Sequence, residues 1–186
     1  KAAEKKYFTA ALAIPTDRCN PFRLETAAVL ERTKELCPES YKPCYYLGNL
    51  YYNKQPDRAM AEWEQCIAKE PSFAMAWRNL GWAHWLHTKN YGEAVKYYRK
   101  AIDLAPEEAL FLEEIDQVYE AKGEDVQVRY DLLKSRHAVC TKRYSPLAGE
   151  VTAGIFVGDY DYVLKLLKEC YFPTREGVAN FHDVYV

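Results

Sequence analysis

The sequence predicts an all-α fold, a solenoid of antiparallel helix pairs. Three observations predict it. No segment sustains the apolar–polar alternation of a strand, and the two candidates, 154–157 and 184–186, are too short. Only 8 glycines and 9 prolines occur in 186 residues, which leaves few turns and suits long helices. One spacing recurs three times: Ala3, Tyr7, Ala10, Pro15; then Ala59, Trp63, Cys66, Pro71; then Ala94, Tyr98, Ala101, Pro106. The first three members of each set share one helix face, because side chains three and four apart are neighbours there. Small residues let a second helix come close, and the aromatic between them fills the gap. The proline then stops the helix, since it lacks an N–H and clashes with the preceding turn.

Each element follows from such signals. A helix is predicted at 1–13, closed by Pro15. The stretch 22–36 is amphipathic and ends before Pro38. The next helix, 41–53, carries Cys44-Tyr45-Tyr46-Leu47-Gly48 and then Tyr51; its partner is 57–69, closed by Pro71. Helix 74–88 carries Trp77-Arg78-Asn79-Leu80-Gly81 and then His84; its partner is 91–104, closed by Pro106. Leu112, Ile115, Tyr119 and Gly123 mark a third first-helix at 107–121. Val128, Leu132 and Ser135 follow on 124–138, without a closing proline. Helix 145–157 leads to a turn at Gly158-Asp159-Tyr160-Asp161 and to helix 160–170 with Val163 and Leu167. A last helix is predicted at 174–184.

These patterns resemble the tetratricopeptide repeat, W-x2-L-G-x2-Y…A-x3-F-x2-A…P, with a period of about 34 residues. Pro71 and Pro106 are 35 apart. Cys44 replaces the aromatic of the pattern, His84 replaces its Tyr, and the turns within the pairs differ by one residue. The resemblance implies a right-handed superhelix, read as one domain over 1–186. Its clear repeats are 41–71 and 74–106. The degenerate ones are 1–38, 107–140 and 144–173, and 174–186 is a tail. A second resemblance rests on longer runs. These are Asn20-Pro21-Phe22-Arg23-Leu24-Glu25, Tyr45 to Tyr52, Arg78-Asn79-Leu80, Arg143, the Gly158 turn, and Tyr171-Phe172-Pro173 through Glu176-Gly177. They are similar to the helical-repeat region at the C-terminal end of large bacterial proteins whose N-terminal domain looks carbohydrate-active. That resemblance implies a fragment of a longer chain, with any chemistry upstream. The family carries a richer acidic and glycine run where this chain reads Thr174-Arg175-Glu176-Gly177-Val178-Ala179.

Composition excludes several classes. Lys plus Arg number 25 and Asp plus Glu 27, a net charge of −2, which argues against a nucleic-acid binder. An apolar share of 49% is too high for disorder. No apolar run reaches the ~20 residues of a membrane span, and the first residues are expected to be helix rather than a signal peptide. A cytoplasmic address is expected. Cys19, Cys37, Cys44, Cys66, Cys140 and Cys170 form no CxxC pair and no zinc spacing, so buried thiols are expected.

The 16 Tyr and 4 Trp need a cause. Tyr7, Trp63, Trp77 and Tyr98 fall on packing positions. Others fall on the stripe that a first helix turns toward the concave face of a solenoid. In the first clear repeat these are Tyr45, Asn49 and Tyr52, with Asn53 beside them. In the second they are Arg78, Trp82 and Trp85, with Asn79 nearby. Aromatic faces with amide and guanidinium donors suit an extended peptide, a neighbouring domain or a stacked sugar. Chaperone-binding members of the repeat family clamp a C-terminal carboxylate with Lys and Asn. Asn49 matches that clamp, but Tyr45 stands where it needs Lys.

No catalytic residue and no cofactor is expected. His84 and His87 are three apart, without a third metal ligand on their face. Glu107, Glu108, Glu113, Glu114 and Asp116 read as a solvated first turn. Lys134, Arg136, Lys142 and Arg143 read as a solvated helix end, and His137 with Cys140 carries no dyad by spacing alone. The sequence therefore points to a protein-interaction or scaffolding module that is not an enzyme. The alternative is a non-catalytic accessory domain of a carbohydrate-processing enzyme.

Overall fold

The computed structural model describes residues 2–16, 21–23 and 25–172. The predicted helix 174–184, Cys19 and the run 174–179 lie outside them. The helices are α1 Ala2–Leu12, α2 Glu25–Leu36, α3 Lys42–Tyr51, α4 Pro56–Lys69, α5 Ala74–Leu86 and α6 Tyr91–Leu104. There follow α7 Ala109–Lys122, α8 Val126–Ser135, α9 His137–Cys140, α10 Tyr144–Val157 and α11 Tyr160–Glu169. Among the described residues there is no strand. The chain divides into two compact units, Lys1–Leu104 and Ala105–Val186.

In the first unit α3 packs on α4 and α5 on α6, while α4 packs on α5 and α2 on α3. The recurring glycine of the repeat has a steric cause. A Cβ on Gly48 would lie 2.3 Å from the Trp63 indole, and one on Gly81 would lie 2.8 Å from the Tyr98 ring. The aromatic of each second helix thus seats directly on the backbone of its own first helix. Ala59, Ala76, Ala83, Leu47 and Leu80 are fully buried around these contacts. Lysines close helix ends: Lys42 Nζ donates to the carbonyls of Leu12 and Ile14, and Lys69 Nζ to that of Pro38 at 2.6 Å.

Tyr7 departs from the expectation. It occupies the register of Trp63, yet it is 77% exposed. Among the described residues no glycine offers the Tyr7 ring the seat that Gly48 gives Trp63 and Gly81 gives Tyr98. α1 is held to α2 by Arg32, whose guanidinium donates to both Glu4 carboxylate oxygens at 3.0 Å.

In the second unit α10 packs against α7, α8, α9 and α11. Neighbours on several sides explain why it is apolar over most of its surface, with Leu147, Val151, Ala153 and Gly154 all buried. α7 and α10 both end on a left-handed glycine, Gly123 at φ 75° and Gly158 at φ 84°. The predicted single helix 124–138 breaks at Arg136, whose φ/ψ of −115°/21° separates α8 from α9.

The acidic stretch of α7 is not a solvated turn. Glu114 and Asp116 are buried. Asp116 stands in the register of Gly48 and Gly81, and instead of receiving an aromatic it accepts two bonds from Arg129, at 2.8 and 3.1 Å. The basic segment is likewise engaged. Lys142 pairs with Glu107, Arg143 with Glu113 at 3.1 Å and Lys134 with Asp159 at 2.7 Å.

Candidate functional site

α3 and α5 carry the residues that the sequence assigns to a binding face. Their polar members form one chain of hydrogen bonds. Trp63 Nε1 donates to Asn49 Oδ1 at 3.2 Å and to the Tyr45 carbonyl at 3.3 Å. Asn79 Nδ2 donates to the same Asn49 oxygen at 3.0 Å, and Arg78 Nη1 donates to Asn79 Oδ1 at 3.1 Å. An indole N–H can only donate. It therefore fixes which end of the Asn49 amide is oxygen, and turns the Asn49 Nδ2 hydrogens away from Trp63. The chain thus consumes the amide oxygens of Asn49 and Asn79 within the protein.

The aromatic members form a second tier. Tyr52 lies 5.4 Å from Trp63, and Trp82 meets Trp85 edge-on at 5.4 Å. The Arg78 guanidinium lies 4.9 Å from the Trp82 ring, a cation–π contact. Burial pushes the Tyr52 phenol up; the Arg78 charge and a side-chain hydrogen bond with Trp82 oppose that rise. Tyr52, Arg78, Trp82 and Trp85 are all half-buried, which suits side chains that both pack and present a face.

Three residues are placed differently from the rest, the first being Asn79, which is buried on α5 and does not face outward. Tyr45 is 8% exposed, its ring edge-on to Phe73 at 4.9 Å and tilted against Tyr46 at 5.4 Å. It forms the packed floor of the row. Asn53 is exposed in the turn after α3. Sequence reasoning missed the second role of Trp63. The pattern marks its ring as packing, but the nitrogen that orients Asn49 is the feature that separates tryptophan from the other aromatics used at that position.

The remaining constellations resolve into local contacts. His84 stacks on Tyr97 at 5.1 Å and bonds Thr88, and burial lowers its pKa. His87 instead bonds Asp57 at 2.8 Å. His137 and Cys140 turn to different partners, Glu150 at 2.9 Å and the Leu133 carbonyl at 3.5 Å. Cys37, Cys44, Cys66 and Cys140 are buried free thiols, and Cys170 is a half-buried one. Among the described residues no group of three His, Cys, Asp or Glu side chains could hold a metal. Among them, too, no helix is long and apolar enough to cross a membrane.

Helix pairs built on a repeated glycine–aromatic contact define a helical-repeat protein. The Tetratricopeptide repeat family model matches residues 49–109. Solved structures agree at the level of fold. The chain is similar to the crystal structure of MamA, at 17% identity and a TM-score of 0.62, over 76% of this chain and 82% of that one. It is also similar to YrrB, described as a TPR protein with an unusual peptide-binding site, at 17% identity and a TM-score of 0.64, over 76% of this chain and 73% of that one.

Proposed function

We propose that the chain is a non-catalytic protein-interaction module. Its α3–α5 face, lined by Asn49, Tyr52, Asn53, Arg78, Trp82 and Trp85 over a floor of the buried Tyr45 and Asn79, binds an extended peptide. The observation that carries this reading is the polarity of the amide chain. Trp63 and Asn79 occupy the Asn49 oxygen, so Asn49 offers N–H groups, and a peptide backbone supplies carbonyl acceptors at regular spacing. Trp82 and Trp85 supply rigid apolar area at low entropic cost. The repeat class supports the same reading, as does a neighbour in fold, YrrB, whose description names a peptide-binding site.

The test is selection from a random peptide library, followed by titration of the selected peptide against tryptophan fluorescence. Asn49→Asp keeps an oxygen for Trp63 and Asn79 but replaces the outward N–H groups with a second oxygen. It should weaken the peptide about tenfold or more, and Trp82→Ala by a similar factor. Failure to select any peptide, or binding unchanged by both substitutions, overturns the reading. A saturable response to cello- or chito-oligosaccharides, lost in Trp82→Ala, would favour the accessory domain of a carbohydrate-processing enzyme instead.

A further inference from the structure

The two helices that carry the candidate face have an unusual charge. The chain holds 27 Asp plus Glu in 186 residues, yet neither α3, of 10 residues, nor α5, of 13, contains one. They do contain two cations, Lys42 and Arg78. Lys42 lies on the stripe of Tyr45, Asn49 and Tyr52 at helical spacing, and carbonyl dipoles of Leu12 and Ile14 hold its Nζ. The acids of the neighbouring helices are engaged by their own cations: Glu31 by Arg58, Asp57 by His87 and Glu62 by Lys34. The positive charge of Arg78 reaches across to α3. Burial raises the Tyr52 phenol, and the Arg78 charge works against that rise.

The oxygens of the face point the same way. Asn49 Oδ1 accepts from Trp63 and Asn79, and Asn79 Oδ1 accepts from Arg78. The Tyr52 hydroxyl oxygen accepts from Trp82, because an indole N–H can only donate. A cationic ligand thus meets oxygens already engaged, a repelling guanidinium and no carboxylate on either helix. An anionic ligand meets the opposite field.

We infer that the peptide bound by this face is acidic, held by the side-chain carboxylate of an Asp or Glu beside Arg78, with an apolar neighbour of that acid against Trp82 and Trp85. This rests on the peptide-binding reading and gives its ligand a chemical class. The attraction does not depend on which Arg78 N–H groups are already engaged, since a guanidinium keeps its charge in any hydrogen-bonded arrangement. Stacking on Trp82 at 4.9 Å fixes where that charge sits. The terminal-carboxylate clamp needs a lysine where this chain has the buried Tyr45, so the acid is placed within the peptide and not at its end.

Selection from a random library of C-terminally amidated peptides tests it on the 186-residue chain. The selected peptides should share an Asp or Glu next to an aromatic or aliphatic residue. Exchanging that acid for its amide should weaken binding about tenfold or more, and binding should weaken as salt is raised. Arg78→Glu should reject the acidic peptide and accept the version carrying Lys in its place, a charge swap that a merely unfolded variant could not give. Selected peptides without an acid, or binding indifferent to the acid-to-amide exchange, overturn this inference and leave the peptide reading standing. So does an Arg78→Glu variant that is folded by circular dichroism and keeps the wild-type preference. Displacement of the peptide by oligouridylate at equal charge concentration overturns it too, because the face then takes any polyanion. Failure to select any peptide overturns both readings together.

Discussion

Two classes of glycine separate at the scale of the single residue, and they predict different costs. Gly48 is required by packing: a methyl group there would occupy the space of the Trp63 indole, 2.3 Å away. Gly123 is required by conformation: at φ 75° nothing lies within 4 Å of its missing Cβ, so only the left-handed backbone objects. Gly48→Ala should cost about 1–3 kcal/mol, as overpacking does, with a shift of the Trp63 emission as its ring is displaced. Gly123→Ala should cost about 1–2 kcal/mol, the steric price of a left-handed alanine, and leave tryptophan emission unchanged. Urea denaturation with fluorescence detection measures both. Equal emission changes in the two variants would contradict the distinction. Gly48 was legible in the sequence as part of a motif, and its reason became visible only with the position of Trp63. The Asn49 contact was not legible, because it links residues 14 apart on two helices and depends on which atom of an amide faces an indole.

Legibility follows the source of order at the scale of elements. Helices closed by proline or glycine were readable from sequence, and α3 to α6 lie within two residues of the predicted boundaries at both ends. The break between α8 and α9 was not readable, since no glycine or proline marks Arg136. Nor were the buried acids, because a carboxylate at helical spacing looks the same whether it faces water or a cation. Glu150 is the extreme case. It is fully buried on α10, accepts from the Tyr162 hydroxyl of α11 at 2.7 Å and bonds His137 Nδ1 of α9 at 2.9 Å. Burial, and after it Glu150, holds the Tyr162 phenol well above its ordinary value, so the hydroxyl stays a donor. One side chain thus ties three helices together. Glu150→Ala strands both partners and should cost about 3 kcal/mol, whereas Glu150→Gln keeps an acceptor for Tyr162 and should cost less. Hydrogen exchange should show protection lost in both His137–Cys140 and Tyr160–Glu169. Loss in only one of them would mean that Glu150 serves a single contact.

Buried thiols make the stability of the whole molecule depend on alkaline pH, with one strongly shifted cysteine in each unit. Burial, and after it neighbouring Cys44, pushes Cys66 up to about 12 from an ordinary 9.0. Burial, and after it Glu150 and Asp116, does the same to Cys140. The folded chain therefore keeps a proton that the unfolded chain releases above pH 9. Their contribution to stability is whole below that pH and falls as pH rises toward 12, because the unfolded state then binds fewer protons. At pH 10 the loss is about 1.4 kcal/mol for each thiol, one pH unit beyond the unfolded value. The raised phenols of Tyr51, Tyr97 and Tyr130 act in the same direction, each chiefly through burial. Urea midpoints measured between pH 8 and 11 should fall steadily, and Cys66→Ala should shallow that slope while lowering stability at pH 8. The native protein should leave Cys44, Cys66 and Cys140 unreactive toward a thiol reagent at pH 8, and urea should expose all three. A slope unchanged by Cys66→Ala would show that the thiol is already solvated in the folded chain, and with it that the close seating of α3 on α4 is looser than the Gly48–Trp63 contact requires.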